Sequence, residues 1–585
     1  MRYMIIVDVG STTSKALLFG EKGQGWRLLE RGESGTTVEA PYEDVTVGVR
    51  RAISIIQERT KIPIIQGDDD FWQLLVEDFL ATSSAGGGLQ MVVCGNIGKL
   101  SAESAERAAM GGGAILLDVF AVDDGLSLFQ RMERLRSLRP DMVLLSGGVE
   151  GAQVANFLVE MCDFIRTARP RPKFGYSHDL PVIYAGTSSG VSIVEDLLGE
   201  GFVVKTVANL RPSITTENLE PTREAIHDLF IEHVMSHAPG YGRLQERVSL
   251  PLMPTPTAVG DILTIYARSR KINVLCIDIG GATTDVFSVV AGNFVRTVSA
   301  NLGMSYSIGN VAAATGVENL MRWIPHSHPL SDDDLLNRIG NKLLFPVTIP
   351  AVLEDLWAEQ AAGREALRLS FIDHQEIAKV QKPQGIFADT LTDLPEAVEI
   401  DAFDLIIGSG GVLSNTPLRG QAAAILLDAF QPIGVTQLMV DSVFMLPHLG
   451  AFARIDETGA LAILEQDCLI PLGTALAPLG WVARGNVGLT ISGKSCTGRD
   501  IQGSARGGEL VCVPLGKDET AEIQVSVSGG ARWSGDLRVT VRGGVSGIIL
   551  DMRGRPLLFD KEHLTEYPNA WLLELTKGER QGGNG

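Results

Sequence analysis

One short segment near the start of the sequence has a carboxylate, a glycine, hydroxyls and a lysine at a spacing suited to phosphate chemistry. In residues 8–15 an apolar run ends at Asp8, and the chain then turns through Gly10. Backbone N–H groups in such a turn point into one concavity, which can hold an oligophosphate, while the carboxylate faces Mg²⁺ or its waters. The candidate phosphate ligands are Gly10, Ser11, Thr12, Thr13 and Lys15, with Asp8 on the metal side.

The same arrangement occurs a second time further along the chain. Residues 7–13 resemble residues 277–283 at an offset of 270. A second pair, residues 146–149 and 409–412, repeats Ser-Gly-Gly-Val at an offset of 263. Since chance matches would not be expected to keep order and spacing, the repeats predict two homologous lobes. The candidate ligands of the second segment are Asp278, on the metal side, and Gly280, Gly281, Thr283 and Thr284.

The elements around the two segments follow one plan. Short β-prone runs joined by Gly-containing turns predict a three-stranded meander at the start of each lobe. Apolar residues at spacings of three and four then predict helices that alternate with short β-branched runs. The predicted strands of the meanders are 4–9, 15–19, 26–31, 273–279, 283–290 and 293–299. The predicted helices include 45–59, 126–138, 153–167, 216–235 and 258–268.

These patterns predict an α/β fold with two duplicated lobes and a C-terminal appendix. We expect the first lobe over residues 1–254 and the second over 255–484. From about residue 485 the sequence changes to short Val-rich and Thr-rich runs separated by glycines, which predicts a β-rich domain over 485–576. The polar, Gly-rich residues 577–585 have too little apolar content to pack and are predicted to be disordered.

At these motifs the sequence resembles the superfamily of actin, sugar kinases and heat-shock chaperone ATPases, whose two ribonuclease-H-like lobes close over Mg-ATP. Residues 8–15 resemble the first phosphate motif, 278–285 the second, and 408–411 the adenosine motif. The resemblance covers about the first 480 residues and implies an actin-like ATPase with ATP and Mg²⁺ as its ligands. It implies that Asp8 and Asp278 face the metal and that Lys15 contacts phosphate. The floor beneath the adenine nucleotide would be Gly408, Ser409, Gly410 and Gly411.

Within this superfamily the sequence is similar to the glutamate mutase L family, accessory proteins encoded beside adenosylcobalamin-dependent glutamate (methylaspartate) mutase. The similarity is carried by residues 7–15, 253–256, 277–288, 408–414 and 543–557, the last of which lie outside the ATPase core. It implies a protein that assembles or reactivates a mutase with the help of ATP, and mutase subunits as its partners. Hydrolysis would also need a polar residue that orients water. Asp261, on the helix that leads into the second hairpin, lies near where actin-like proteins place theirs.

Two other functions of the superfamily stay open at this point. A small-molecule kinase would need a polar cluster for the acceptor and a general-base Asp beside the second phosphate motif, and none stands out. A nucleotide-gated scaffold or polymer-forming actin-like protein would show concentration-dependent sedimentation with nucleotide. The iron–sulfur ATPases that activate radical dehydratases need clustered cysteines, whereas the six cysteines here are scattered singly.

Composition narrows the class of partner. The chain of 585 residues has 50 Lys and Arg against 70 Asp and Glu, a net charge of -20, which disfavours nucleic acid and anionic membranes as partners. No run of 18 apolar residues occurs, and Asp8 interrupts the N-terminal apolar stretch before it could serve in a signal peptide. We therefore expect a cytoplasmic protein, and the sequence leaves dimerisation open.

Residues 488–495 fit the Walker A formula G-x-x-x-x-G-K-[ST], but their surroundings favour another structure. A true P-loop opens a helix whose N-terminus receives the phosphate. Here four glycines follow within 20 residues and disfavour a helix, and residues 489–492 alternate as in a strand. We therefore expect a β-turn in the C-terminal appendix.

Overall fold

The computed structural model describes residues 2–10, 13–23, 25–38, 41–67, 72–84, 89–112, 114–171, 179–214, 216–230, 239–299, 301–325, 330–378, 398–557 and 567–582. The strands are β1 (Tyr3–Val9), β2 (Thr13–Lys22), β3 (Gly25–Gly35), β4 (Ile65–Gln66), β5 (Gln73–Leu74), β6 (Asp78–Ser83), β7 (Leu89–Gly95), β8 (Ala114–Ala121), β9 (Met142–Ser146), β10 (Leu180–Tyr184), β11 (Phe202–Thr206), β12 (Met253–Pro254), β13 (Val274–Ile279), β14 (Thr284–Val290), β15 (Asn293–Ser299), β16 (Leu405–Ser409), β17 (Gly434–Asp441), β18 (Leu469–Ala477), β19 (Val487–Ser495), β20 (Asp500–Arg506), β21 (Leu510–Val513), β22 (Thr520–Val527), β23 (Arg538–Arg542) and β24 (Ile548–Asp551).

The helices are α1 (Val45–Thr60), α2 (Glu103–Gly111), α3 (Leu128–Leu138), α4 (Ala155–Ala168), α5 (Val191–Leu198), α6 (Glu220–Leu229), α7 (Tyr241–Gln245), α8 (Thr255–Arg270), α9 (Ile308–Thr315), α10 (Val317–Met321), α11 (Asp332–Leu344), α12 (Leu353–Ala378), α13 (Gly411–Ser414), α14 (Arg419–Phe430), α15 (Leu446–Ala453), α16 (Glu457–Ile463), α17 (Tyr567–Leu575) and α18 (Lys577–Gly582). The α/β class predicted from the sequence is confirmed. The chain divides into two compact units, which we describe separately. The first contains Met1–Ile265 and Leu446–Asp467, and the second contains Tyr266–Lys379, Glu396–Met445 and Cys468–Gly585.

The first unit is built on a mixed five-stranded sheet of order β12-β6-β1-β2-β3. The antiparallel meander β1-β2-β3 forms as predicted, and β6 and β12 add in parallel beside β1. The apolar residues of β1 that follow Tyr3 are fully buried, and α1 packs its apolar side on β2 and β3. The carboxyl ends of β1, β6 and β12 therefore meet at one edge of this sheet.

A second, fully parallel sheet is inserted in the first unit between β6 and β12. Its strand order is β8-β7-β9-β10-β11. Helices α3, α4 and α5 cover one face with their own apolar core, while α2 and α6 contribute to the main core of the unit. The sequence analysis did not separate this sheet from the first lobe, because alternating strands and helices look alike in both.

One of the two sequence repeats joins segments at different positions in the fold. Ser146 ends β9 of the inserted sheet, whereas Ser409 ends β16, the parallel neighbour of β13. The strand that lies beside β1 in the same way is β6. The two Ser-Gly-Gly-Val segments therefore lie at non-equivalent positions, and their similar offset does not support a duplication.

The second unit is built on an eight-stranded sheet of order β15-β14-β13-β16-β17-β18-β24-β21. Its first five strands have the same order and the same directions as β3-β2-β1-β6-β12 of the first unit, with an antiparallel meander followed by two parallel strands. Helices α9 to α14 contribute to the core on this sheet, together with buried residues of α17. Asp8 and Asp278 thus occupy matching positions, each at the end of the first strand of its sheet.

The domain boundaries predicted from the sequence need three corrections. Residues 446–467, predicted within the second lobe, belong to the first unit. The C-terminal residues do not form a separate domain, because β21 and β24 extend the eight-stranded sheet, while β20-β19-β22-β23 form a sheet that shares a core with them. The predicted disordered tail is helical over Lys577–Gly582. The carboxylate of Glu579 accepts from the backbone N–H groups of Arg419 and Gly420, which caps α14 and holds the tail in place.

Two further features of the sequence can be checked in the described residues. None of their helices is both long and apolar enough to cross a membrane. The six cysteines form no disulfide, and four of them, Cys94, Cys162, Cys276 and Cys468, are buried. Burial raises the pKa of the Cys94 thiol and that of Cys276 well above the usual value, so these thiols are protonated near neutral pH.

Candidate functional site

The first phosphate motif forms a tight hairpin between β1 and β2. Asp8 pairs with Lys15 across the hairpin, and the N–H of Gly10 donates to the carbonyl of Thr13 at 3.0 Å. A Cβ atom at Gly10 would lie 2.8 Å from that carbonyl oxygen, so the turn requires glycine. Ser11 and Thr12, which the sequence predicts as phosphate ligands, lie outside the described residues.

Two threonines that the sequence analysis missed hold the Asp8 carboxylate. Thr82, at the end of β6, donates its hydroxyl to Oδ1 of Asp8 at 2.7 Å, and Thr255, at the start of α8, donates to the same atom at 2.6 Å. Asp8 is only 8% exposed, so these bonds fix the direction of its side chain. Thr255 lies in a segment singled out by the family resemblance, but no sequence signal marked Thr82.

The second phosphate motif repeats the backbone geometry of the first. The N–H of Gly280 donates to the carbonyl of Thr283 at 2.9 Å, as that of Gly10 does to Thr13. The following loop closes on this turn, since Met304 and Ser305 donate their N–H groups to the carbonyls of Gly280 and Gly281. The two turns therefore have the same internal hydrogen bond at matching positions in two sheets of matching strand order.

The predicted adenosine motif lies directly beside the second hairpin. Ser409, at the end of β16, is in register with Asp278 on β13. Gly410 has φ of 101°, and a Cβ atom there would lie 2.2 Å from the carbonyl oxygen of Ile279. Gly411, in contrast, has open space around it and begins α13. The fold thus brings Asp278, the Gly280 turn and this glycine loop together at the carboxyl end of β13 and β16, where α/β sheets bind ligands.

Several of the predicted or considered side chains are engaged by the fold itself. Thr284 is fully buried and donates its hydroxyl to the carbonyl of Leu302. Asp285, the last residue of the segment that resembles the second phosphate motif, accepts two bonds from Arg296, at 2.9 and 2.6 Å. The buried Gly408 serves packing, since a Cβ atom there would lie 2.8 Å from the side chain of Leu413. A phosphate contact from Thr284 would therefore have to come from its backbone.

Asp261, suggested as the residue that orients water, lies on α8 and forms an ion pair. Arg454, just after α15, donates to its Oδ2 from Nε at 3.2 Å and from Nη2 at 2.8 Å. The pair is partly exposed, with 35% of the Asp261 side chain accessible. In this arrangement the carboxylate is shared with a guanidinium, which competes with any bond to water.

A buried carboxylate that the sequence analysis overlooked lies at the same sheet edge of the second unit. Asp441 ends β17, is fully buried, and accepts from the N–H groups of Val443 and Met445 at 3.1 and 2.8 Å. Its backbone carbonyl accepts from Ser414, which ends α13. Asp441 therefore ties the loop after β17 to the short helix after the glycine motif.

The C-terminal segment that resembles the glutamate mutase L family contains a buried charge network. Asp551 accepts bonds from Arg553 and Arg555 at 2.8 Å, and Arg553 also donates to Asp428 on α14 at 2.6 Å. Burial alone would raise the pKa of Asp551, but the two guanidinium groups hold it well below its usual value. Asp428 in turn accepts from Arg364 on α12. These contacts join the end of β24 to two helices of the second unit.

The Walker-like segment is a strand, as its alternation suggested, and not a P-loop. Residues 488–495 lie within β19, between β20 and β22. Lys494 is 70% exposed and pairs with Asp500 at 2.9 Å. The next element is strand β20 and not a helix that could receive a phosphate. The β-turn expected at this segment does not form, because residues 488–495 are one continuous strand.

The chain is similar to several known proteins. A family model described as MutL protein matches residues 4–468. Protein MutL of Clostridium tetanomorphum is 25% identical over 491 residues, which are 79% of this chain and 98% of that protein. Among solved structures, diol dehydratase-reactivating factor in nucleotide-free form aligns at a TM-score of 0.31 and 10% identity, over 78% of this chain and 100% of that one. The xylulose kinase of Bifidobacterium adolescentis aligns at a TM-score of 0.29 and 12% identity, over 81% of this chain and 96% of that one.

Proposed function

Because this chain belongs to the MutL protein family, as its resemblance to glutamate mutase L indicated, we propose that it is an ATP-hydrolysing accessory protein of an adenosylcobalamin-dependent mutase. Its task would be to assemble or reactivate glutamate (methylaspartate) mutase or a related enzyme. The observation that supports nucleotide binding is the repeated turn, Gly10 to Thr13 and Gly280 to Thr283, at the end of the first strand of each main sheet.

We infer from the shared strand order that the two main sheets are duplicated, ribonuclease-H-like lobes. Each has a meander followed by two parallel strands, and each has a carboxylate and a glycine turn at the same place. In this proposal the backbone N–H groups of both turns and Lys15 bind phosphate, and Ser409, Gly410 and Gly411 lie beneath the nucleoside.

The residues present fit a hydrated Mg²⁺ accompanying the nucleotide. Asp8 has one oxygen held by two hydroxyl donors, which is the support that carboxylates at metal sites usually have. Asp8 and Asp278 would hold the ion or its waters. When bound, Mg²⁺ neutralises charge on the β- and γ-phosphates. The described residues contain no group of three or more His, Cys, Asp and Glu side chains that could hold a metal ion.

The water-orienting role of Asp261 is part of the proposal and depends on its ion pair. Arg454 would have to release one carboxylate oxygen, or water would have to bind to Oδ1, which receives neither of the two bonds. The variant Asp261→Asn tests the water-orienting role, because it keeps the size of the side chain and removes its charge. If Asp261 orients water, phosphate release falls at least 10-fold while ATP affinity is kept.

The experiment is a measurement of Mg-ATP binding by calorimetry and of phosphate release, with wild type, Asp8→Asn and Asp278→Asn. Each substitution keeps the volume of the side chain and removes the charge that would face Mg²⁺. The control is Lys494→Ala, which removes an exposed lysine of the Walker-like strand. We expect both Asp variants to lose hydrolysis and the control to match wild type. Unchanged hydrolysis in both Asp variants would refute the site.

The partner is tested separately, by adding glutamate mutase that turnover has inactivated. We expect the mutase to stimulate phosphate release and to regain activity with wild type and ATP, but not with Asp8→Asn. If ATP is hydrolysed without any effect on the mutase, the nucleotide site stands and the proposed partner is wrong. If the mutase recovers without ATP hydrolysis, the proposed coupling is wrong.

A further inference from the structure

The helical hairpin formed by α11 and α12 ends in an apolar tip on the surface of the second unit. We define the tip as residues 343–353, with Leu336 about two turns earlier on α11. Eight large apolar side chains here are between 44% and 85% exposed, with Val347 and Ile349 the most accessible. They are Leu336, Leu343, Leu344, Phe345, Val347, Ile349, Val352 and Leu353. Single exposed apolar residues are ordinary, but a contiguous group of this size usually marks an interface.

The loop of the tip is held in one conformation. The N–H of Phe345 continues the hydrogen bonding of α11, and the N–H and the hydroxyl of Thr348 donate to the Phe345 carbonyl at 3.1 and 2.8 Å. Lys342 donates to the carbonyl of Thr348 and pairs with Glu359 on α12 at 2.7 Å. Pro346 and Pro350 restrict the backbone further. The apolar side chains are therefore preorganised, which lowers the entropy cost of binding.

The two basic side chains beside the tip are paired within the hairpin. Arg338 pairs with Asp355, and Lys342 pairs with Glu359, each pair joining α11 to α12. Glu354 is the one further charged residue in 335–360, so a second copy of the same surface would meet charges that are compensated except for this carboxylate. An anionic lipid surface is disfavoured by the net charge of -20 and by the absence of a basic cluster in residues 330–360.

The size and the apolar character of the tip point to a contact between identical chains. At about 150 Å² for a fully exposed side chain of this size, the tip presents roughly 700 Å² of apolar surface. A standard interface buries about 800 Å² per partner, and the permanent interfaces of homodimers are more apolar than transient ones. We propose that the tip, residues 343–353 with Leu336, is the interface through which two copies of this chain form a twofold dimer.

The proposal is tested with the full chain and without nucleotide, so that its outcome does not depend on the proposed ATPase. Sedimentation velocity is measured over a series of concentrations for wild type and for the double variant V347D/I349D. The control is Phe129→Asp, because Phe129 on α3 is 66% exposed and lies outside the tip. In a twofold dimer each substitution counts twice, so we expect the dimer dissociation constant to rise at least about 100-fold in the double variant and less than threefold in the control.

A crosslinking measurement tests the same interface as the sedimentation experiment, without relying on a disruptive variant. Ile349→Cys in a Cys496→Ser background should be linked between chains by a short bis-maleimide, whereas Phe129→Cys should not; Cys496 is replaced because it is the exposed native cysteine. The proposal is overturned if wild type is monomeric throughout, or if a dimer persists in V347D/I349D. Binding of wild type, but not of the double variant, to phosphatidylcholine vesicles would assign the tip to lipid instead. If monomeric wild type binds the mutase through the tip, the occupant is that partner and the dimer is refuted.

Discussion

Replacing Gly410 by alanine tests whether the glycine loop of the second unit depends on its backbone geometry. Gly410 has φ of 101° and lies against the end of β13, next to Asp278. An added Cβ atom would lie 2.2 Å from the carbonyl oxygen of Ile279, which is backbone and cannot rotate away. The loop or the strand end would have to move by about 1 Å to restore a normal van der Waals contact.

The expected cost has two parts. A residue with a side chain at this backbone conformation costs about 1–3 kcal/mol, and forcing an extra carbon into a packed contact costs about 1–3 kcal/mol more. Gly410→Ala should therefore destabilise the second unit by about 2–6 kcal/mol. The same movement displaces the proposed nucleotide floor, so we expect the affinity for Mg-ATP to fall at least 10-fold even where the variant stays folded.

The matched control is Gly411→Ala, one residue along. The position has no positive φ, and the nearest atom to an added Cβ is the Asn415 amide nitrogen at 4.0 Å. Urea unfolding is followed by tryptophan fluorescence, since five of the seven tryptophans lie in the second unit. The control should lie within about 0.5 kcal/mol of wild type. Equal urea midpoints for Gly410→Ala and Gly411→Ala would show that the reasoning about this loop is wrong.

Three further predictions follow from single contacts. Thr255→Val removes one of two hydroxyl donors to Asp8; phosphate release should fall about 10-fold to 100-fold with a loss of stability of about 1–3 kcal/mol, and equal rates would remove Thr255 from the site. The buried His374 lies between Thr297 and Ser288, and burial lowers its pKa to about 3. Between about pH 6.5 and 3 this histidine is therefore protonated in the unfolded chain but neutral in the folded one. Stability should therefore drop on acidification from about pH 6.5 to 3, by up to about 1.4 kcal/mol per pH unit from this group, and urea titrations should show a shallower drop for His374→Gln. Glu579→Ala removes the cap of α14 and should cost about 1–2 kcal/mol while speeding proteolysis of the tail; an unchanged digestion pattern would contradict that role.

The local parts of the site could be predicted from the sequence alone. A strand that ends in Asp8 or Asp278 and turns through glycine depends on residues next to one another in the chain, and both turns form where their sequences predicted. The alternation of residues 489–492 likewise outweighed the Walker-like pattern, because a strand or helix preference is a property of the segment itself. The family resemblance was also carried by short motifs and is confirmed by the match over residues 4–468.

Tertiary structure decided which distant groups complete these motifs. Thr82 and Thr255 reach Asp8 from 74 and 247 residues away, because parallel strands and the following helix bring their ends to one sheet edge. No local pattern encodes that pairing, just as none showed that residues 146–149 and 409–412 lie in non-equivalent sheets. The tail was expected to be disordered because its own composition cannot form a core, yet Glu579 finds two backbone donors at the start of α14. Local preference sets the strands and turns, whereas burial and hydrogen bonding between remote segments set the environment of each carboxylate.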